Sequence, residues 1–406
     1  METFVARQPI LDQAKNTIGY EILFRDGINN AFPETDGDIA TVRIIVDTFL
    51  ATGSENLTNG KTAFINFPQN LIVNDVANFL PREKIVIEIL EDVMPAEDVI
   101  KSLTKLKNKG YTIALDDFIY RDKFIPLVEL TNIIKFDLKI LDFTEIKKIM
   151  GKLKKKFSIE FLAEKVETIK EFEISKNLGF SYFQGYFFEK PEIIQNKIIP
   201  ASQKNIMNLV VEATKKKMNF EKLQTMIKMD IGLSLRLLKL INSAYYRRAH
   251  KINTIKDAIV ALGENRIIRF IMMAAAIELS KNKPDELIKI SILRARMAEM
   301  TGPMLKSKFS ANELFTMGLF SNADAMLGIT MDNLLKEMPF TDRIKSGLLQ
   351  KDNDFNCIID IISYFEKVDW INRKNCCKNY NITELAMQNI YIDALKTADS
   401  FFNQIA

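Results

Sequence analysis

Histidine is almost missing from this chain: of 406 residues only one, His250, is a histidine. It sits among Arg247, Arg248 and Lys251, in what reads as a basic loop ahead of the segment Ile252 to Leu262. That scarcity excludes a multi-histidine metal centre, and a Ser-His-Asp triad would have to recruit this one residue from a basic turn. Cysteine is nearly as scarce. Cys357, Cys376 and Cys377 are odd in number, fall late in the chain and lack the paired spacing of a zinc site, so they read as buried or surface thiols. No secretory leader pattern opens the sequence, and no apolar run is long enough to span a bilayer; the most apolar helical stretch, Ile267 to Leu279, is too short. The expected address is cytoplasmic, with no membrane partner. An excess of one charge is lacking too, since the formal net charge of +4 is too small at this length to demand a nucleic-acid or membrane surface. Any catalytic metal must therefore be held by carboxylate and amide oxygens, which suits hard cations such as Mg²⁺, Mn²⁺ or Ca²⁺.

What the chain does contain is ordinary globular material, 47% apolar and 27% charged. Its length predicts about two or three domains. The first half alternates short apolar segments with amphipathic ones. Strands are expected over Thr17 to Phe24, Thr62 to Phe67, Lys84 to Leu90, Tyr111 to Asp117, Asn132 to Asp137, Ser158 to Glu164 and Phe180 to Phe187. Helices are expected between most of them, at Ile39 to Leu50, Ala96 to Lys109, Phe143 to Lys155 and Thr168 to Asn177. This alternation predicts an α/β fold with a parallel sheet covered by helices, and the number of strands favours a closed, TIM-like (β/α)8 barrel over an open sheet. The opening segment Phe4 to Leu11 reads as one arm of a hairpin with Thr17 to Phe24, so one strand should run antiparallel. Pro191 to Pro200 reads as a linker. Beyond it helical periodicity takes over, at Gln203 to Lys217, Phe220 to Lys228, Leu233 to Ala244, Thr254 to Leu262, Glu264 to Leu279 and Asp285 to Leu305, with stop signals at Gly263, Gly302-Pro303 and Pro339. The expected division is a barrel domain over 1–195 and an all-helical domain over 196–406.

Two features read as structural. Met272, Met273, Met297 and Met300 are plastic core residues, and the lysines from Lys147 to Lys156 form a solvated helix face with no interleaved aromatics to stack bases. No nucleic-acid partner is expected.

The apolar run at 111–118 ends in adjacent carboxylates, Asp116 and Asp117, and like charges that close stay ionised only with water, a base or a cation between them. Alone, the stretch fits either a divalent-cation site or a solvated acidic strand end. The other strand ends add Glu21, Asn66, Glu88, Lys135 with Asp137, Glu164 and Gln184. In a barrel the strand C-termini converge, so these side chains would meet in one pocket. An all-oxygen cluster with one lysine suits one or two ions, Mg²⁺ or Mn²⁺, that polarise a phosphoryl oxygen and lower the pKa of an attacking water. The implied reaction is phosphodiester hydrolysis, with Lys135 neutralising charge near the phosphate or water.

Tyr20-Glu21-Ile22-Leu23-Phe24-Arg25 resembles the Glu-Ala-Leu motif of EAL domains. In family order follow Ile65-Asn66, Ile87-Glu88-Ile89-Leu90-Glu91, Leu115-Asp116-Asp117-Phe118, Ile134-Lys135-Phe136-Asp137, Ala163-Glu164-Lys165-Val166-Glu167-Thr168 and Gln184-Gly185-Tyr186. The resemblance implies a cyclic di-GMP phosphodiesterase on a barrel with one antiparallel strand, able to pair as a homodimer. It implies metal contacts from Glu21, Asn66, Glu88, Asp116 and Asp117, assisted by Glu167. Glu164 would be the general base and Lys135 would lie by the attacking water. Arg25 and Gln184 would contact or frame the substrate, with Glu91 and Asp137 in support. Three stretches depart from the family pattern: Ile119-Tyr120-Arg121-Asp122 replaces a Gly-Thr-Gly loop, Lys165 replaces a glycine, and no Pro-x-x-Phe element follows Arg25. Lys165 is expected to lower the pKa of Glu164. The departures leave a second reading open, a catalytically degenerate cyclic di-GMP receptor or protein scaffold without turnover.

The helical half resembles the HDOD domain, through Asp230 to Ala244 and then Ile255 to Gly263. That resemblance implies an interaction module with a protein partner rather than a second active site, and a single histidine agrees.

Overall fold

The computed structural model describes residues 3–26, 57–189, 201–213, 215, 218–242, 251–280, 283–338 and 340–405. The helix expected at Ile39 to Leu50, the linker at Pro191 to Pro200, His250 and Pro339 lie outside them. The chain divides into two compact units, Met1–Lys190 and Pro191–Ala406.

The first unit is a closed barrel whose strands follow one another in chain order. They are β1 (Thr3–Asp12), β2 (Thr17–Asp26), β3 (Thr62–Phe67), β4 (Ile85–Ile89), β5 (Thr112–Leu115), β6 (Ile133–Asp137), β7 (Glu160–Glu164) and β8 (Tyr182–Gln184). β1 pairs antiparallel with β2 and β8, and every other pair is parallel. The expected barrel and its single reversed strand are both present. β5 ends earlier than its apolar run suggested, because Asp117 turns into the left-handed region at φ 39°. β8 likewise stops at Gln184, where Gly185 takes φ 142°. There a Cβ would lie 2.2 Å from the Val166 carbonyl oxygen, so only glycine fits.

The pleat stacks the barrel interior in layers. Ile10, Phe64, Val86, Ala114, Ile133 and Leu162 form a buried cluster across six strands, with Tyr182 packed against it. Side chains two residues apart share a strand face. Two steps along each parallel strand from this apolar layer stand Asn66, Glu88, Asp116, Lys135, Glu164 and Gln184. Burying a ring of aliphatic and aromatic groups thus fixes which side chains form the next layer, and here the sequence makes them polar.

Helices cover the barrel with apolar stripes: Val99, Leu103 and Leu106 from Glu97–Asn108, and Ile146, Ile149, Met150 and Leu153 from Phe143–Lys154. The second starts on Asp142, whose side chain accepts from the amides of Thr144 and Glu145. Helix Ile169–Leu178 begins with a Thr168/Glu171 capping box and stops at Gly179. The lysines from Lys147 to Lys156 are all exposed.

Every regular element described in the second unit is a helix. Ile255–Leu279 is two helices bent at Gly263, as the stop signal implied. Asp285–Met304 carries Pro303 in its last turn and ends one residue later. Met272, Met273 and Met297 are buried in this core. No helix among the described residues is long and apolar enough to cross a membrane.

Candidate active site

At the C-terminal mouth of the barrel the Lys135 ammonium is the focus. Its Nζ lies 2.7 Å from Asp116, 2.9 Å from Glu88, 2.9 Å from Glu164 and 3.7 Å from Glu21. Lys135 and Glu88 are fully buried, at 0% exposure. Four carboxylates, three from β2, β4 and β7 and one just past the end of β5, surround one cation that is out of reach of bulk water.

Burial is the largest influence on the charge states here. It pushes the Glu88 and Glu164 carboxyls well above the usual carboxylate range, against the opposing pull of Lys135. For Lys135 burial favours the neutral form, but Asp116, Glu164, Glu21 and Glu88 overcome it and hold the ammonium charged. Asp117 is raised by burial and by Asp116, with Lys165 opposing. The expected pull of Lys165 on Glu164 is present as a Coulomb attraction between the two, but burial outweighs it and the carboxyl is raised overall. Lys165 turns to Asp137 and pairs with its carboxylate, and the loss of hydration at Glu164 outweighs a lysine at the rim.

The remaining expected residues fall into place around this focus. Gln184 Nε2 donates to Glu21 Oε2 at 2.6 Å, and Asn66 Nδ2 donates to Glu21 Oε1 at 3.3 Å. Glu21 itself sits mid-strand in β2 rather than at a strand end. Asp137, closing β6, accepts from the Lys139 amide at 2.6 Å. Glu91 and Asp117 line a pocket of about 260 Å³ beside the cluster, together with Asp116, Phe118, Ile119 and Arg121. Glu167 stands apart, paired with Lys139 at 3.4 Å and half exposed. Arg25 is in β2, and its side chain lies outside the described part. The loop that departs from the family pattern is tied down: Tyr120 donates to Asp122 at 2.7 Å, and Lys152 lies 4.0 Å over the Tyr120 ring.

One residue of this layer escaped the sequence reading. Gln8 of β1 accepts from Gln184 Nε2 at 2.8 Å and donates to the Tyr186 hydroxyl at 3.1 Å. Because β1 runs against its neighbours, its polar step lies two residues before the apolar layer at Ile10, not two after. The hairpin contained that signal.

Among the described residues no group of three His, Cys, Asp or Glu side chains stands arranged to hold a metal ion, and the Lys135 ammonium lies where the carboxylates converge. The donor chemistry nonetheless fits a hard cation. Glu88 Oε2 and Asn66 Oδ1 are buried without a hydrogen-bond partner, the donors are all oxygen, and Glu21, Glu88, Asp116 and Glu164 outnumber the one ammonium among them.

The EAL domain family model matches residues 53–191, and the HDOD domain model matches residues 199–333. The first match starts after β2, so the structure supplies what it omits, the hairpin that closes the barrel and carries Glu21. The cyclic di-GMP phosphodiesterase CdgJ of Vibrio cholerae is 36% identical over 380 residues, 92% of this chain and 87% of that protein. The uncharacterized protein YuxH of Bacillus subtilis is 33% identical over 378 residues, 91% of this chain and 92% of its own. Among solved structures, a cyclic di-GMP-bound standalone EAL protein from Vibrio cholerae is 27% identical and covers 47% of this chain and 92% of that one, with a TM-score of 0.38.

Proposed function

Since this chain belongs to the EAL family and carries an HDOD domain behind its barrel, we propose that the barrel binds cyclic di-GMP and hydrolyses it to linear pGpG. The observation that carries this reading is the ring of Glu21, Glu88, Asp116 and Glu164 around the buried Lys135, one mouth of one barrel lined by oxygen donors and a fixed cation. In the reaction a water oxygen forms a bond to phosphorus and the bond from phosphorus to one ribose 3′ oxygen breaks. The water's proton goes to a base, and the leaving oxygen takes up a proton.

Glu164 serves as that base. Its carboxyl, raised by burial, is a stronger proton acceptor than an ordinary carboxylate. Lys135, held charged in a dry site, stabilises the negative charge that grows on the phosphoryl oxygens and keeps the carboxylates from repelling one another. Glu21, Asn66, Glu88, Asp116 and Asp117 would hold Mg²⁺ or Mn²⁺, which when bound polarises a phosphoryl oxygen and acidifies water. Gln184 and Asn66 steer Glu21. Arg25 completes the proposal as a phosphate contact, Glu91 and Asp137 as supports, and Glu167 as an assisting carboxylate.

Similarity over 92% of the chain to a protein named as a cyclic di-GMP phosphodiesterase favours turnover over a receptor that only binds. On the same reading the domains run over 1–195 and 196–406, the helical half engages a protein partner, barrels pair as a homodimer, and the cytosol is the address that goes with a nucleotide substrate. The test is the full chain with cyclic di-GMP and Mg²⁺ or Mn²⁺, followed by chromatography. Linear pGpG is expected, and Glu164→Gln should lose turnover while retaining nucleotide binding. Binding without product in either metal would sink hydrolysis and leave a receptor; no binding would sink the nucleotide reading altogether.

A further inference from the structure

We infer that Gln8 is a positioning residue for the carboxylate cluster, acting through Gln184 on Glu21; this rests on the metal-binding reading above. Hydrogen-bond polarity orders the row of side chains. An ionised carboxylate accepts only, so the Gln184 nitrogen must face Glu21, 2.6 Å away. That nitrogen has a second hydrogen, and Gln8 Oε1 accepts it at 2.8 Å. With its oxygen committed, Gln8 presents its own nitrogen to the Tyr186 hydroxyl at 3.1 Å. The polarity is set at the carboxylate and passes outward, from Glu21 through Gln184 and Gln8 to the Tyr186 hydroxyl, which accepts the last hydrogen.

The consequence falls on Gln184 Oε1. It is buried, on a side chain only 5% exposed, and has no hydrogen-bond partner. Were the amide free to turn over, this oxygen would meet the Glu21 carboxylate and repel it. Gln8, with its oxygen turned to Gln184, adds a second acceptor to the orientation in which nitrogen faces Glu21 and so reinforces it. Glu21 is thereby held in one rotamer, and Gln184 Oε1 stays available as an oxygen donor to a cation or a water.

The backbone puts Gln8 in position to do this. Gln8 is the register partner of Glu21, and Ile10, two residues on, is the partner of Gln184. A parallel strand at this place would have brought a residue after the apolar layer; the reversed strand brings one before it. At the far end, Gly185 lets the chain pass close to Val166 and carry Tyr186 to Gln8.

The test is calorimetric titration of the full chain with Mn²⁺ alone, without nucleotide, for wild type, Gln8→Met and Gln8→Glu. Methionine keeps the volume and removes both hydrogen bonds. Outer partners that orient metal ligands typically carry about 10–100-fold of metal affinity, so Gln8→Met should weaken Mn²⁺ binding by about tenfold or more with an unchanged melting temperature. Gln8→Glu retains the acceptor oxygen that Gln184 needs, so it should bind Mn²⁺ close to wild type. Equal affinity of wild type and Gln8→Met overturns the inference. So does equal loss in both variants with a lowered melting temperature, which makes Gln8 a plain structural residue. A wild-type chain that takes up no Mn²⁺ overturns the metal reading beneath it and the inference together.

Discussion

Replacing Lys135 by methionine removes the cation and keeps much of the side-chain volume, which makes it a direct test of the charge arrangement. Asp116, Glu88 and Glu164 lie within 2.9 Å of the lost ammonium and Glu21 at 3.7 Å, so four carboxylates are left facing one another. Breaking a buried ion pair by deleting one partner costs about 3–5 kcal/mol. In a unit the size of Met1–Lys190 each kcal/mol shifts the melting temperature by about 2–4 °C, so a fall of roughly 6–20 °C is expected. The loss must depend on pH. Glu88 and Glu164 already have raised pKa values, and without Lys135 these rise further. A carboxyl raised in the folded state stabilises it at low pH and loses that contribution as pH climbs through its folded pKa. The gap between variant and wild type should therefore be widest near pH 8 and narrow toward pH 5. Scanning calorimetry in chelator reads the barrel, while fluorescence of the single tryptophan, Trp370, reports the helical unit, which should not move. A variant that melts within about 2 °C of wild type at pH 8, or a gap that widens in acid, refutes the arrangement.

Loss of the base in Glu164→Gln should cut the rate of cyclic di-GMP hydrolysis by about 10²–10⁴-fold at saturating metal; an unchanged rate would remove Glu164 from that role. Because burial raises this carboxyl and the base must be deprotonated, the acid limb of wild-type turnover should lie at higher pH than an ordinary carboxylate gives, with activity climbing as pH rises. A limb in the ordinary range would contradict it. Gly185→Ala forces a Cβ to 2.2 Å from the Val166 carbonyl and a side chain onto φ 142°. A loss of about 3 kcal/mol is expected from that clash and strain, read as denaturant midpoint, and a midpoint equal to wild type would show that β8 can relax. In the helical half, Lys215 and Lys222 hold Glu212 at about 2. Its lowered pKa gives stability that is complete above the unfolded value and disappears as pH falls toward 2, so Glu212→Gln should flatten the acid side of the helical unit's stability profile.

Much of this fold was legible because its determinants are local. Alternation along a strand, the Thr168/Glu171 cap, the break at Gly263 and the order of the acidic motifs are all properties of a few neighbouring residues. Barrel closure followed from strand number, and the reversed strand from a short hairpin. What stayed hidden was decided between distant strands. Gln8 joins the site only because β1 runs backwards past β8, and direction changes which residue of a two-step repeat faces the mouth. Glu167 carries the motif spelling yet pairs with Lys139 at the rim. Lys165 follows Glu164 in the chain, but its ammonium goes to Asp137, while the pKa of Glu164 is set by the water it has lost. The sequence by itself determined which groups would be charged and how far apart they lie along the chain. Only the tertiary structure decided which of them share a dry volume, because desolvation and Coulomb energy depend on separation in space, and closing the barrel is what sets it.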